Sequence, residues 1–383
     1  MNLLPYFKLM AERQATDLFV TAGAPVQVKI QGVIHPVNKQ VLSPDHVKQL
    51  AYELMNDEQI SDFERDWEMN FRQGVEGLGS FRVNVFKQRG SVAMVIRYVK
   101  ATSPGIEELR LPEVLKSLIL EKRGLIFLVG ATGSGKSSTV TAMLEYRNST
   151  TPGHILTIED PVEYLYTHKK SIVSQREVGI DTHSYSDALK NAMREAPDVL
   201  MIGEVRDKLV MQQAMAYAQA GHLCISTLHA NNSYHMLNRI INFFPHDARE
   251  SLLMDLSVAL KAVISQRLVR NKRGTLTPAV EVLVNSARIS ELIKNGEIDQ
   301  IKDAMENSLY EGSQTFEQAL YKLFKEGEIT YEEALKNSDS ATNLAWLVNN
   351  AQSLEELEAQ KAAKTGERAA PPASDVSFNI DLH

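Results

Sequence analysis

The chain has 383 residues, 44% hydrophobic and 23% charged, which fits an ordinary globular protein long enough for two domains and a tail. Its 48 acidic and 41 basic residues leave a net charge of −7, so no overall attraction to nucleic acid or anionic membrane is expected. A single cysteine, Cys224, excludes a disulfide framework and a multi-cysteine zinc site, and fits a reducing cytoplasm.

The opening MNLLPYFKLMAERQATD lacks the apolar core of a signal peptide, and no apolar run approaches the roughly 18–20 residues of a transmembrane segment. Leu3, Leu4, Phe7, Leu9 and Met10 predict a helix over 3–14, followed by strands at 18–21 and 26–30. Ser43-Pro44-Asp45 starts a helix to about residue 54, and Asp57 starts another to 63. Alternation predicts antiparallel strands at 68–73, 79–88 and 91–98, so residues 1–99 form a small α+β domain. Read alone, Arg82, Arg89 and Arg97 fit solvated charges on that sheet. Residues 100–112 make a linker around Pro104 and Gly105, and Pro112 opens a helix to 120.

From 124 the pattern becomes strands alternating with helices, the signature of a parallel α/β sheet. Strands are predicted at 125–129, 155–159, 199–203 and 223–227, with 280–284 as a possible edge. Helices are predicted at 187–196, 208–220 and 233–243, then an all-helical run over 247–269 and shorter amphipathic helices to about 348. Residues 349–383, with Ala-Ala-Pro-Pro-Ala-Ser, read as a disordered tail, either inert or partner-docking.

The stretch GLIFLVGATGSGKSSTV, residues 124–140, joins a buried strand to a helix through a glycine-rich turn. Gly130, Gly135, Lys136 and Ser137 satisfy G-x-x-x-x-G-K-[ST] in that strand–turn–helix setting. Backbone N–H groups of Gly130, Ala131, Thr132, Gly133, Ser134 and Gly135 can wrap a phosphate where a Cβ would obstruct it. The following helix start, with Ser138, adds positive partial charge. Lys136 reaches the β- and γ-phosphates and Ser137 places its hydroxyl on Mg²⁺, so ATP and Mg²⁺ are the predicted cofactors.

Ligands of parallel sheets sit beyond the strands' carboxyl ends. Glu159, Asp160 and Glu163 crowd one such end, where one acid can orient Mg²⁺-bound water and another the attacking water. Alternatively Glu159 and Asp160 are caps or surface charges. Glu204 ends the next apolar strand, the usual place for an acid facing Mg²⁺. His222 and His229 flank a further strand, either responding to a γ-phosphate or sitting in the core; no carboxylate or cysteine lies at ligand spacing for a metal.

GATGSGKSS, ILTIEDPVEY, MREAPDVLMIGEVRD and GHLCISTLHANN occur in this order, and together they resemble the secretion ATPase superfamily of type II secretion and type IV pili. DLFVTAGAPVQVKIQGVI and SFRVNVFKQRG are similar to its PAS-like N-terminal domain; ISQRLV and TFEQALYKLFKEGEITYEEALKN resemble its retraction branch, the PilT/PilU branch. The resemblance covers about residues 1–345. It implies a RecA-like P-loop core over 113–348 with C-terminal helices, working as a homo-hexameric cytoplasmic ring that hydrolyses ATP to move a PilC-like platform protein at the inner-membrane pilus base.

By the same resemblance, Arg82 and Arg97 reach a neighbouring subunit's nucleotide, and Glu163 is the catalytic, water-positioning glutamate. Glu204 replaces the Walker-B aspartate and faces Mg²⁺ through water, while His222 and His229 form a histidine box. Residues 287–294, ARISELIK, depart from the AIRNLIRE-type helix of PilT, and the tail extends beyond it. Both features resemble the accessory side of the branch, which assists PilT. An assembly or secretion ATPase is the alternative, disfavoured by the lone cysteine because those ATPases commonly carry a four-cysteine zinc element. A nucleic-acid translocase is disfavoured by the acidic balance, and a non-hydrolysing ring subunit by Glu163 and Glu204.

Overall fold

The computed structural model describes residues 3–30, 32–99, 104–308, 310 and 312–350. Residues 100–103 of the predicted linker and 351–383 of the predicted tail lie outside the described residues. Among the described residues the protein is mixed α/β, with two sheets.

The first sheet runs in the order β3-β2-β1-β6-β5-β4, built from β1 Asp17–Thr21, β2 Gln27–Ile30, β3 Val33–Pro36, β4 Glu68–Val75, β5 Gly79–Gln88 and β6 Ser91–Val99. Every neighbouring pair is antiparallel. Period-two alternation sends Leu18, Val20, Phe81, Val83, Val85, Met94 and Ile96 to one buried face. The helices Leu4–Glu12, Pro44–Tyr52 and Asp57–Asp66 supply Phe7, Met10, Val47, Leu50 and Phe63 to the same core, with the Phe7 and Phe81 rings stacked at 4.3 Å. Two helix starts are fixed locally, Ser43 Oγ accepting from the His46 N–H and Asn56 forming a capping box with Gln59. On the opposite face, register sets Arg72 across from Arg82, Arg82 across from Arg97, and Arg97 across from Asp17.

The second sheet runs β13-β12-β7-β11-β10-β8-β9, from β7 Gly124–Val129, β8 Gly153–Glu159, β9 Ser171–Glu177, β10 Val199–Ile202, β11 Leu223–Leu228, β12 Leu260–Arg270 and β13 Leu276–Val284. The pairs β8–β9, β8–β10 and β10–β11 are parallel and β12–β13 is antiparallel. Strands β7, β10 and β11 are buried on both faces; β7 and β10 accordingly read as apolar runs, while β11 interrupts its run with the buried Ser226 and Thr227. The predicted edge strand is present as β13.

One prediction needs correction. The run 247–269 is not all helical: the helix Arg249–Ala259 stops at Leu260, whose backbone turns extended (φ −63°, ψ 134°), and β12 follows. Residues 262–266 are buried without a break, so the middle of the strand lacks the alternation that marks one. Their ladder with β13 extends from Ala262–Val284 to Arg270–Leu276 and outweighs local helix preference. Strands β3 and β9 were also not predicted.

By compactness the chain divides into two units. One comprises Met1–Leu109, Leu115–Ile126 and Lys136–Leu228; the other comprises Arg110–Val114, Phe127–Gly135 and the described residues from His229 onward. In the latter, the helices Phe316–Lys325, Tyr331–Asn337 and Ala341–Asn349 gather Phe316, Leu320, Ala334 and Leu344 against Val269 and Ala279. Thr315 opens the first of them with a capping box to Gln318.

Candidate functional site

Strand β7 ends at Val129, residues 130–135 form the turn, and the helix Lys136–Thr150 begins with the motif lysine. Gly133 and Gly135 sit at φ 80° and 90°, a left-handed backbone that L side chains rarely adopt. At Gly130 space is the constraint: a Cβ would lie 2.4 Å from Ser134 Oγ and 2.6 Å from the Gln266 carbonyl oxygen. At Gly135 it would lie 2.6 Å from Gln266 Nε2. Ser134 Oγ is buried without a hydrogen-bond partner among the described residues. Ala131 and Thr132 are exposed on the turn. A glycine cradle with an orphaned hydroxyl fits a phosphate-binding loop.

Lys136 is buried, and burial lowers the pKa of its ammonium, while the Glu204 and Glu163 carboxylates act in the opposite sense. The structure thus brings Lys136, Glu163 and Glu204 into electrostatic reach of one another, although they come from three different element ends. Glu163 is exposed and Glu204 is half-buried. Glu204 Oε2 accepts from Arg206 Nε at 2.7 Å, and Arg206 Nη1 lies 3.6 Å from Asp160 Oδ2. Ser137 stands half-buried in the helix's first turn, and Ser138 Oγ lies 3.2 Å from the Tyr164 hydroxyl.

The three acids at and after the end of β8 are not equivalent. Glu159 is buried, its Oε1 accepting from Thr157 Oγ1 at 2.7 Å and from Gln175 Nε2 at 3.4 Å. Burial above all, with Glu163 adding to it, pushes its carboxyl up to about 7. The Asp160–Pro161 peptide is cis. The Val162 N–H donates to Glu177 Oε2 at 3.2 Å, immediately before Glu163.

The histidines separate. His222 precedes β11, its carbonyl accepting the Gly124 N–H at 3.0 Å where β7 begins. It therefore stands at the amino ends of these strands, and within one chain it is not part of the strand-end cluster. His229 follows the carboxyl end of β11, and its carbonyl accepts from Arg239 Nη1 at 2.9 Å. The segment after it is held firmly. Arg267 Nη2 donates to the Asn231 carbonyl at 3.3 Å, pairs with Asp339, and carries its guanidinium carbon 3.9 Å from the Phe316 ring centre. Asn232 caps the helix Ser233–Asn242 and also donates to Asp339 Oδ2 at 2.9 Å. Glu281, fully enclosed, accepts from the Ser233 N–H and Ser265 Oγ, and burial raises its pKa.

Arg82 Nε lies 4.0 Å from Glu177 Oε1, and Arg97 Nε donates to Asp17 Oδ1 at 2.8 Å. Sequence reasoning passed over Arg72, Glu177, Arg206, Arg267 and Asp339. Arg206, two residues after Glu204, had a positional signal; the others are identified only by partners far along the chain.

Among the described residues no helix is long and apolar enough to cross a membrane. A family model described as Type II/IV secretion system protein matches residues 6–368. The chain is 49% identical to the type IV pilus ATPase PilU of Pseudomonas aeruginosa, over 89% of this chain and 90% of that protein. It is 36% identical to PilT, the type IV pilus retraction ATPase of the same organism, over 90% of this chain and all of that one. A crystal structure of the pilus retraction motor PilT with bound ADP superposes with a TM-score of 0.84 at 41% identity, covering 90% of this chain and 99% of that one. Matched over most of its length by the family model, by PilU and by the PilT structure, the chain belongs to the type II/IV secretion system protein family and is one of its ATPases.

Proposed function

We propose that this protein is an ATP-hydrolysing motor subunit that promotes type IV pilus retraction, and with it twitching motility, as an accessory to PilT. The observation that carries the reading is the buried Lys136 ammonium at the end of the glycine loop, faced by Glu163 and Glu204, in a chain 49% identical to PilU.

In this reading the N–H groups of residues 130–135 and Lys136 hold the phosphates of ATP, and the Ser138 turn adds the helix-start dipole. Mg²⁺ would be held by Ser137 Oγ and, through water, by Glu204, and it would neutralise charge on the phosphate oxygens. Glu163, exposed at the end of its turn, orients the attacking water and receives its proton as the γ-phosphate leaves ADP. Asp160 is tied to Glu204 through Arg206 and would stand on the side of the site that holds Mg²⁺, and Glu159 supports the turn from within its strand. His229 responds to the γ-phosphate. Arg82 and Arg97 act on the nucleotide of a neighbouring subunit, and His222 belongs to the same subunit boundary.

The functional form is a homo-hexamer lying in the cytoplasm at the inner-membrane pilus base, against a PilC-like platform protein and in company with PilT. The division into 1–99, a linker 100–112, an ATPase domain 113–348 and a tail 349–383 belongs to this reading.

The test compares pilus retraction in cells lacking this protein, lacking PilT, or lacking both, each complemented with the wild-type chain or with Lys136→Ala. Wild type restores retraction only where PilT is present, and Lys136→Ala restores it nowhere and does not turn over ATP in vitro. Normal ATP turnover by Lys136→Ala overturns the assignment of the site; rescue without PilT overturns the accessory role.

A further inference from the structure

Glu177, the last residue of β9, is buried and belongs to none of the sequence motifs that mark the site. A buried carboxylate is costly unless charge and hydrogen bonds compensate it, and here each compensating group comes from elsewhere in the chain. Oε2 accepts the Val162 N–H at 3.2 Å and pairs with Arg72, while Oε1 lies 4.0 Å from Arg82 Nε. Arg72 and Arg82 face each other across β4–β5, and Arg82 faces Arg97 across β5–β6. Like charges directly opposite on antiparallel strands repel. Asp17 offsets one end of this arginine row, through Arg97, and Glu177 offsets the other.

One carboxylate therefore connects two things: the charged face of the N-terminal sheet and the amide of the residue just before Glu163. The Glu177 N–H in turn donates to Asp181 Oδ2 at 2.8 Å, fixing the acid's own backbone.

We propose that Glu177 is a positioning residue for ATP hydrolysis, holding the 160–163 turn through the Val162 amide so that Glu163 is presented correctly, with Arg72 setting how firmly it holds. Any displacement of the N-terminal sheet that withdraws Arg72 then loosens the turn. The inference rests on the reading of Glu163 as the water-orienting acid.

The experiment measures steady-state ATP turnover of the full-length protein for Glu177→Ala, Glu177→Gln, Arg72→Gln, the double variant Arg72→Gln/Glu177→Gln, and Glu163→Gln, with thermal unfolding of each. Glu177→Gln keeps an acceptor for the Val162 N–H and gives a readout if Glu177→Ala does not fold. The expected result is a kcat about tenfold lower for Glu177→Ala with KM for ATP within twofold of wild type. Glu177→Gln and Arg72→Gln should show a smaller loss of the same kind, and their double variant should be no slower than the slower single one. A purely structural role would instead lower kcat in step with thermal stability, or raise KM, and either pattern overturns the proposal. So does wild-type turnover in Glu177→Ala alongside an inactive Glu163→Gln. Full turnover in Glu163→Gln overturns the reading of Glu163, and the positioning role falls with it.

Discussion

Glu159 offers a test in which the sign and size follow from burial. The residue is 9% exposed, and its carboxyl is pushed from the ordinary 4.5 up to about 7, mainly by desolvation. A pKa raised on folding means that the folded chain holds the proton more tightly than the unfolded chain. Below about pH 4.5 both states are protonated and there is no penalty. As pH rises toward 7 the unfolded state ionises freely while the folded state resists, so stability is lost across that window and stays lost above it. At about 1.4 kcal/mol per tenfold change in proton affinity, the full loss is about 3 kcal/mol. Glu159→Gln keeps the oxygen that accepts from Thr157 Oγ1 but cannot ionise. Its stability advantage over wild type should therefore grow by about 2.5 kcal/mol between pH 5 and pH 8. The assay is urea unfolding of nucleotide-free protein, without divalent cations, taking the variant-minus-wild-type difference at each pH. An advantage that stays constant with pH would refute the reasoning, because it would mean that the carboxyl titrates normally.

Three further outcomes follow from the same geometry. Gly130→Ala should weaken ATP binding at least tenfold, since the new methyl meets the Gln266 carbonyl oxygen at 2.6 Å and that backbone cannot swing aside; unchanged affinity by nucleotide titration would show that the loop adapts. Arg267→Ala should lower stability by about 2 kcal/mol, because it leaves Asp339 with the Asn232 amide but without its guanidinium and removes the ring contact with Phe316; a loss under about 0.5 kcal/mol in denaturant unfolding would refute this. Arg82→Ala should slow ATP turnover in the assembled protein while leaving nucleotide affinity near wild type, and a wild-type rate would return Arg82 to being a sheet charge.

Features encoded by near neighbours were readable from the amino-acid string. The glycines at 130, 133 and 135 demand a turn that other residues resist, and Ser43 caps its helix by binding backbone three positions on; the next cap is Asn56, one residue before the predicted Asp57. Alternation in β5 and unbroken apolar runs in β7 and β10 announced which strands are buried on one face or on two. Strand β12 escaped because enclosure on both faces erased its period, and its identity depends on β13 beyond a turn.

Long-range pairing had no such local mark. Arg72 finds Glu177 across 105 residues, and Arg267 finds Asp339 across 72. The string shows that these side chains carry charge but not which of them lose water together, and desolvation is what makes one partner indispensable. The same burial divides three nearby acids that look alike in sequence, enclosing Glu159 within its strand and leaving Asp160 and Glu163 exposed. Sterics and short-range hydrogen bonds act between chain neighbours, whereas the pairing and protonation of buried charges depend on which surfaces folding brings into contact.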